Sequence, residues 1–371
     1  MTRYQSLDVL RGLTVALMII VNTPGDWSTN FSPLLHASWH GLTITDLVFP
    51  SFLFVVGNAM SFSLSKLQDK GPGKYFQKVM KRTIIIFGIG LLLTVFPFFR
   101  LSDAGIIPFD FTKIRVLGVL QRIALCYGIA ATLIYFFKLK GSLIIGACML
   151  VGYWFLMYFF GAPGADPYAL EGNAARKLDL WLIGTANLYR GEGIPFDPEG
   201  VLSTIPAVVN VLLGYAIGVW LQREGGKVKT VFTLLLLASG LLFLGYLWGV
   251  WFPINKKIWT SSFVLVSVGY ATILLACLMY VLEVVKWKKW AYFFEVFGKN
   301  PLILYVLSGV LVRIMLMVKV GDQAFKSWAY QGLFVPYFPP KAASLIFAIC
   351  FMLLIWLVGW WMDKNKWYIK V

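Results

Sequence analysis

The chain has 371 residues, of which 59% are hydrophobic and only 13% charged, and its mean hydropathy is +0.76. So few charges could not cover a soluble protein of this length, and uncharged runs at 83–99, 143–160 and 345–361 reach or approach the roughly 20 apolar residues that a hydrocarbon core requires. A net charge of +16 would suggest nucleic acid in a soluble protein; here the basic residues gather in alternate connections, the positive-inside pattern of a polytopic membrane protein, and no nucleic-acid partner is expected.

In chain order, MTRYQSLDVLRG is too polar for a cleavable signal and runs directly into the first apolar segment. Apolar segments follow at about 7–23, 42–65, 83–98, 117–137, 141–160, 201–221, 230–250, 260–284, 298–317 and 342–362. They predict an all-α protein of about ten transmembrane helices. Trp154, Tyr246, Trp290, Trp360, Trp361 and Tyr368 near segment ends fit an interfacial aromatic belt.

Cations cluster after even-numbered segments: Lys66 to Arg82 after the second, Lys138 and Lys140 after the fourth, Arg223 to Lys229 after the sixth, Lys286 to Lys289 after the eighth. With Arg3 at one end and Lys364 to Lys370 at the other, they predict that both termini are cytoplasmic. Arg100, Lys113, Arg176, Lys177, Lys256, Lys257, Lys326 and Lys341 break the rule. One domain is expected over 1–371, its longest connection an extracytoplasmic loop at about 161–200 with room for one or two short helices. Cys126, Cys148, Cys277 and Cys350 sit inside apolar segments without CxxC spacing and read as small buried hydrophobes.

Ionisable groups in or beside membrane helices are costly and therefore mark candidate sites. Asp8 and Arg11 can pair on one face of the first helix. Asn22 ends that helix as a cap or a functional amide. Asp46 follows Thr43-Ile44-Thr45, where a carboxylate suits the positive end of a helix. The chain's two histidines, His36 and His40, fall in one short stretch, LLHASWHGLTITD. They read as a metal-ligating pair, as hydrogen-bonded structural groups, or as a source of one general base. Arg115, Gln121 and Arg122 flank the fourth helix as carboxylate partners or phosphate ligands. Gly298-Lys299-Asn300-Pro301 opens a helix beside a lysine, an arrangement that favours an anion.

The runs SLDVLRGLTVALMIIVNTPG and LLHASWHGLTITDLVFPSFLFVVG resemble the start of the catalytic domain of the heparan-α-glucosaminide N-acetyltransferase family. GVLQRIALCY, LDLWLIG, FDPEGVLSTIPAVV and GKNPLILYVLS resemble later blocks of that family in the same order. The resemblance implies a membrane enzyme that moves acetyl from cytoplasmic acetyl-CoA, its co-substrate, to an extracytoplasmic amino sugar. It maps the family's active-site histidine onto His36 and its functional asparagine onto Asn22. His40 stands where the family commonly has Asn, which leaves it no inherited role and argues against a family-wide metal pair. His36 is then the general base or transient acetyl carrier, with Asn22 as oxyanion donor and Asp46 behind it.

Chemistry alone puts Lys299 and Asn300 at the nucleotide of acetyl-CoA and Arg115, Gln121 and Arg122 nearer its thioester end or the acceptor. The expected setting is a bacterial inner membrane, and the expected partners are acetyl-CoA, a glucosamine-type acceptor, the lipid bilayer and a second copy of the chain in a homodimer. No metal is expected. The competing reading is a secondary transporter for a sugar or other small solute, which would use intramembrane charges and ten helices equally well.

Overall fold

The computed structural model describes residues 4–102 and 105–369. Arg3 and Lys370, two of the cations counted as cytoplasmic, lie outside them. Each apolar segment of the sequence coincides with a helical stretch. The long helices are α1 (Gln5–Asn22), α2 (Ile44–Gln68), α3 (Pro72–Val95) and α4 (Val119–Phe159), then α6 (Thr204–Glu224), α7 (Val228–Trp248), α8 (Ser261–Met279), α10 (Pro301–Met317) and α12 (Pro340–Lys364). Short helices α5 (Ala174–Leu182), α9 (Ala291–Lys299) and α11 (Phe325–Leu333) lie between them. An antiparallel ribbon, β1 (Phe99–Ser102) and β2 (Gly105–Pro108), precedes α4, and a two-residue hairpin, β3 (Lys319–Val320) and β4 (Gln323–Ala324), precedes α11.

Among the described residues, seven helices are long and apolar enough to cross a membrane, or eight if α9 and α10, bent by 83° at Asn300, form one span. The protein is an all-α, multi-pass membrane protein. Two features separate this number from the ten apolar segments. The helical run α4 has 41 residues, about 60 Å if straight and twice a hydrocarbon core. Lys138, with φ 55° and ψ −171°, breaks it between the two segments that the sequence separates. Helix α3 carries Lys74, Lys78, Lys81 and Arg82 in its first half, so only its second half is continuously apolar.

Helices α2 and α6 form the centre of the bundle; 67% and 72% of their apolar windows are buried, against 28% for α4 and α7, whose outer faces are left for lipid. Glycine makes the centre tight. A Cβ on Gly57 of α2 would stand 2.0 Å from the Val211 carbonyl oxygen of α6, and one on Gly214 of α6 would stand 2.1 Å from that of Phe54. The two backbones therefore touch, which fixes the height of α2 and of the acid at its start.

Candidate active site

Helices α2, α4, α6 and α8 all begin at one end of the bundle, where α1 ends. Val21 of α1, Val48 of α2, Leu34 and Val119 of α4 pack together there. Four positive helix ends face the same level, which favours carboxylates in an otherwise apolar fold.

His36 and Asp46 are joined at this level. The His36 Nδ1 lies 2.6 Å from Asp46 Oδ1. The other carboxylate oxygen accepts the backbone N–H groups of Ala37 at 3.1 Å and Thr43 at 3.0 Å. Thr43 Oγ1, which donates to the Leu35 carbonyl at 2.7 Å, accepts the Asp46 N–H in turn. Asp46 is therefore half of a capping box on α2 and the orienting partner of His36 at once. The acid is buried, with a side chain 2% exposed, while that of His36 is 39% exposed. With Nδ1–H held by the carboxylate, Nε2 carries the free lone pair.

Opposite them stands the loop before α8. Lys256 Nζ lies 3.3 Å from both His36 Nδ1 and Nε2. Lys257 donates to the Ser38 carbonyl at 2.8 Å and pairs with Glu192 at 2.5 Å. Burial pushes the Lys256 ammonium below its usual value despite the pull of Glu199 and Asp46. His40 turns to another partner, Asn255 Nδ2 at 3.3 Å, and burial lowers it too. The two histidine rings thus serve different contacts.

Below the dyad, the segment Phe196-Asp197-Pro198-Glu199-Gly200 gathers the arginines. Arg115 donates from Nε and Nη2 to Asp197 at 2.9 and 2.7 Å, from Nη2 to Glu199 at 2.6 Å, and lies over the Tyr189 ring. Burial opposes ionisation of Glu199, but Arg115, Arg122 and Lys256 win and hold it below its ordinary value. Arg122 is fully buried over Trp259, donates from Nη2 to the Gly200 carbonyl and Ser203 Oγ, and leaves Nε and Nη1 without a partner. Gln121 is buried with its Oε1 packed against Gly90 of α3.

Asp179 of α5 accepts the Val201 N–H at 2.9 Å and leaves Oδ2 unpartnered. Burial raises its carboxyl to about 7. The folded protein therefore keeps this proton up to about pH 7, whereas the unfolded chain releases it near pH 4. Stability from this group is full below pH 4 and is lost as pH rises toward 7. Asp179→Asn should accordingly match the parent in melting temperature at pH 4.5 and exceed it at pH 8. An equal difference at both values would show that Asp179 is ionised in the fold.

The remaining sequence candidates lie elsewhere. Asn22 is exposed at the end of α1. Lys299 pairs with Asp363 at 2.8 and 2.9 Å, and buried Asn300 clamps the C-terminal tail through the Trp367 carbonyl and the Ile369 N–H. Lys299 also borders a cavity of about 580 Å³ that Arg11, Lys78 and Arg82 line with Tyr368, far along α2 from the dyad. The cavity runs inward past Leu64, Val56 and Ile86 to Phe52 and Ile123. Phe52 packs against the Val21–Val48 cluster where α1 ends, and the six residues from Asp46 to Phe52 rise about 9 Å. Lys299 was among the sequence candidates; sequence reasoning missed Lys256, which counted only as an exception to the charge rule, and Lys78 and Arg82, which counted only as orienting charges.

The family described as heparan-alpha-glucosaminide N-acetyltransferase, catalytic, matches residues 3–247, which include the dyad, both arginines and the acidic segment. The chain belongs to this family. Two curated relatives named heparan-alpha-glucosaminide N-acetyltransferase extend the likeness. The mouse (Mus musculus) protein is 29% identical over 83% of this chain and 54% of its own length, and the human (Homo sapiens) one 28% over 82% and 52%. The chain spans about half the length of these relatives. Lys256 and Lys299 lie beyond the family match, so their roles rest on geometry.

Proposed function

We propose that the protein is a transmembrane acetyltransferase that moves acetyl from cytoplasmic acetyl-CoA to the amine of an extracytoplasmic amino sugar. The observation that carries this reading is the His36–Asp46 dyad at one end of the bundle, facing a basic cavity that reaches inward from the other end as far as Phe52 and Ile123. On this reading the chain crosses ten times, with both termini, Lys78, Arg82 and Lys299 on the cytoplasmic side and His36 on the far side. Acetyl-CoA is polyanionic at its nucleotide end and slender at its acetyl end. The cavity offers Arg11, Lys78, Arg82 and Lys299 to the first and an apolar throat ending at Phe52 and Ile123 to the second. Its volume is in the range of small-molecule sites, and Arg82 Nε is buried without a partner, a donor suited to a phosphate oxygen.

His36 Nε2 takes the proton that an ammonium acceptor must lose before its nitrogen attacks a thioester. Asp46 holds the ring in that tautomer and stabilises the imidazolium that forms. The protein sits, on the same reading, in a bacterial inner membrane, where glucosamine from glycan turnover is the simplest acceptor.

The test is acetyl transfer from labelled acetyl-CoA to glucosamine by purified protein. Acetyl-CoA should also raise the melting temperature, by mass action on the folded state. Arg82→Glu should raise KM for acetyl-CoA about tenfold or more by reversing a charge at the phosphates, with KM for glucosamine unchanged. Saturable sugar flux in proteoliposomes without any acetyl-CoA requirement would instead establish a transporter.

A further inference from the structure

We propose that Lys256 is a catalytic residue of this site, its ammonium donating to the oxyanion that forms on the acetyl carbonyl. The proposal rests on the acetyltransferase reading above. In that reaction the acceptor nitrogen's lone pair bonds to the carbonyl carbon, and the C=O π pair moves onto oxygen. His36 Nε2, having passed the ammonium's first proton to solvent, takes the second proton from nitrogen. The oxyanion then collapses, the C–S bond breaks, and the departing sulfur recovers the proton from His36. The carbonyl oxygen must therefore develop its charge within reach of a donor beside Nε2.

Lys256 is that donor by position. Its Nζ is 3.3 Å from Nε2 and equally far from Nδ1. Nδ1 is already engaged by Asp46 at 2.6 Å. An ammonium equidistant from both nitrogens of one ring, at this range, cannot lie in the ring plane without striking the carbon between them. It sits against the ring's face and keeps N–H groups for a ligand at Nε2. Among the described residues, Lys256 forms no salt bridge.

The other cations nearby are committed. Lys257 is held by Glu192 and the Ser38 carbonyl, Arg115 by Asp197 and Glu199, and Arg122, though Nε and Nη1 are unpartnered, is fully buried over Trp259 and tied through Nη2 to Gly200 and Ser203. Asn22, the donor expected from the sequence, is exposed at the end of α1 and, among the described residues, makes no hydrogen bond to His36.

The loop that presents Lys256 is built for the task. Asn255 Oδ1 accepts the N–H groups of Lys257 at 2.7 Å and Ile258 at 3.2 Å, and its N–H donates to Thr260 Oγ1 at 3.1 Å. The Ile254 carbonyl accepts the Gly41 N–H at 2.8 Å, and Asn255 Nδ2 meets His40. Lys256 and His36 thus ride on segments fastened to each other, and His40 is part of the fastening.

Facing the ammonium are Asp46 and His36, Glu199 from the segment before α6, Arg122 from α4, and Lys257 on its own loop. Burial outweighs the two carboxylates and makes this ammonium a stronger acid than a solvated one, hence a stronger donor to an oxyanion.

The experiment compares Lys256→Gln and Lys256→Arg in the full-length protein, with kcat and KM measured across pH on acetyl-CoA and glucosamine. Removal of the charge should lower kcat by roughly 10²–10³-fold with both KM values and the stabilisation by acetyl-CoA retained. Arginine should restore at least part of kcat, and should carry the alkaline fall of kcat to higher pH. Unchanged kcat in Lys256→Gln overturns the proposal. So does a loss confined to KM for the amine, or equal loss in both variants together with a fallen melting temperature. Wild-type protein that transfers no acetyl to any amine overturns the acetyltransferase reading and this role with it, a result distinct from an active wild type with an indifferent lysine.

Discussion

His36→Ala should lower kcat for acetyl transfer by about 10³-fold or more, and Asp46→Asn by about 10²–10³-fold, within the range for loss of a positioned base and its orienting carboxylate. A thousandfold loss is about 4 kcal/mol of transition-state stabilisation. The two variants should differ in stability. His36 is partly exposed and its removal leaves the α2 cap in place, whereas Asp46 also accepts the N–H groups of Ala37 and Thr43. Asp46→Asn therefore carries a capping cost of about 1 kcal/mol as well.

Thr43→Ala separates the two jobs of Asp46. It weakens the capping box and leaves the 2.6 Å contact to His36, so melting temperature should fall while kcat stays within a few-fold. Steady-state kinetics beside thermal unfolding read both quantities. His36→Ala with kcat within a few-fold of wild type would remove the dyad from the mechanism.

The dyad was legible in the sequence because its members are ten positions apart and flank a recognisable helix start. Metal spacing between His36 and His40 was the distraction: with Gly41 between loop and helix, the two rings go to Asp46 and to Asn255. Lys256 was not legible, because 220 positions separate it from His36, and charge counting set it aside as misplaced. Several cations that break the charge rule are the ones the structure uses: Lys256 at the dyad, Lys257 on Glu192, and Lys326 on the Pro24 carbonyl at 2.7 Å. The apolar segments were legible because hydropathy is local. The cavity was not, because its lining comes from α1, α2, α3, α4, the α9–α10 bend and the tail.

Arg115→Met should be the most destabilising single change around the site, by about 3–5 kcal/mol, the range for removing one partner of a buried ion pair. The loss is less in the guanidinium than in what it leaves behind. Asp197 is wholly buried and Glu199 nearly so. Both stand in the segment that also receives Arg122 at Gly200 and Asp179 at Val201. Acid should reveal the cause. In the parent, Glu199 is held below its ordinary value, so its contribution is present above that value and fades as pH falls through the depressed one. In the variant, Asp197, which burial already raises in the parent, rises further and Glu199 is raised with it, so both take up protons before the unfolded chain does and stability returns on acidification. The difference in melting temperature between parent and Arg115→Met should therefore be large at pH 8 and small at pH 4.5, and Asp197→Asn with Glu199→Gln in the same chain should recover much of the loss at pH 8. A gap that stays constant with pH would mean that Arg115 acts through its packing on Tyr189 rather than through the two carboxylates.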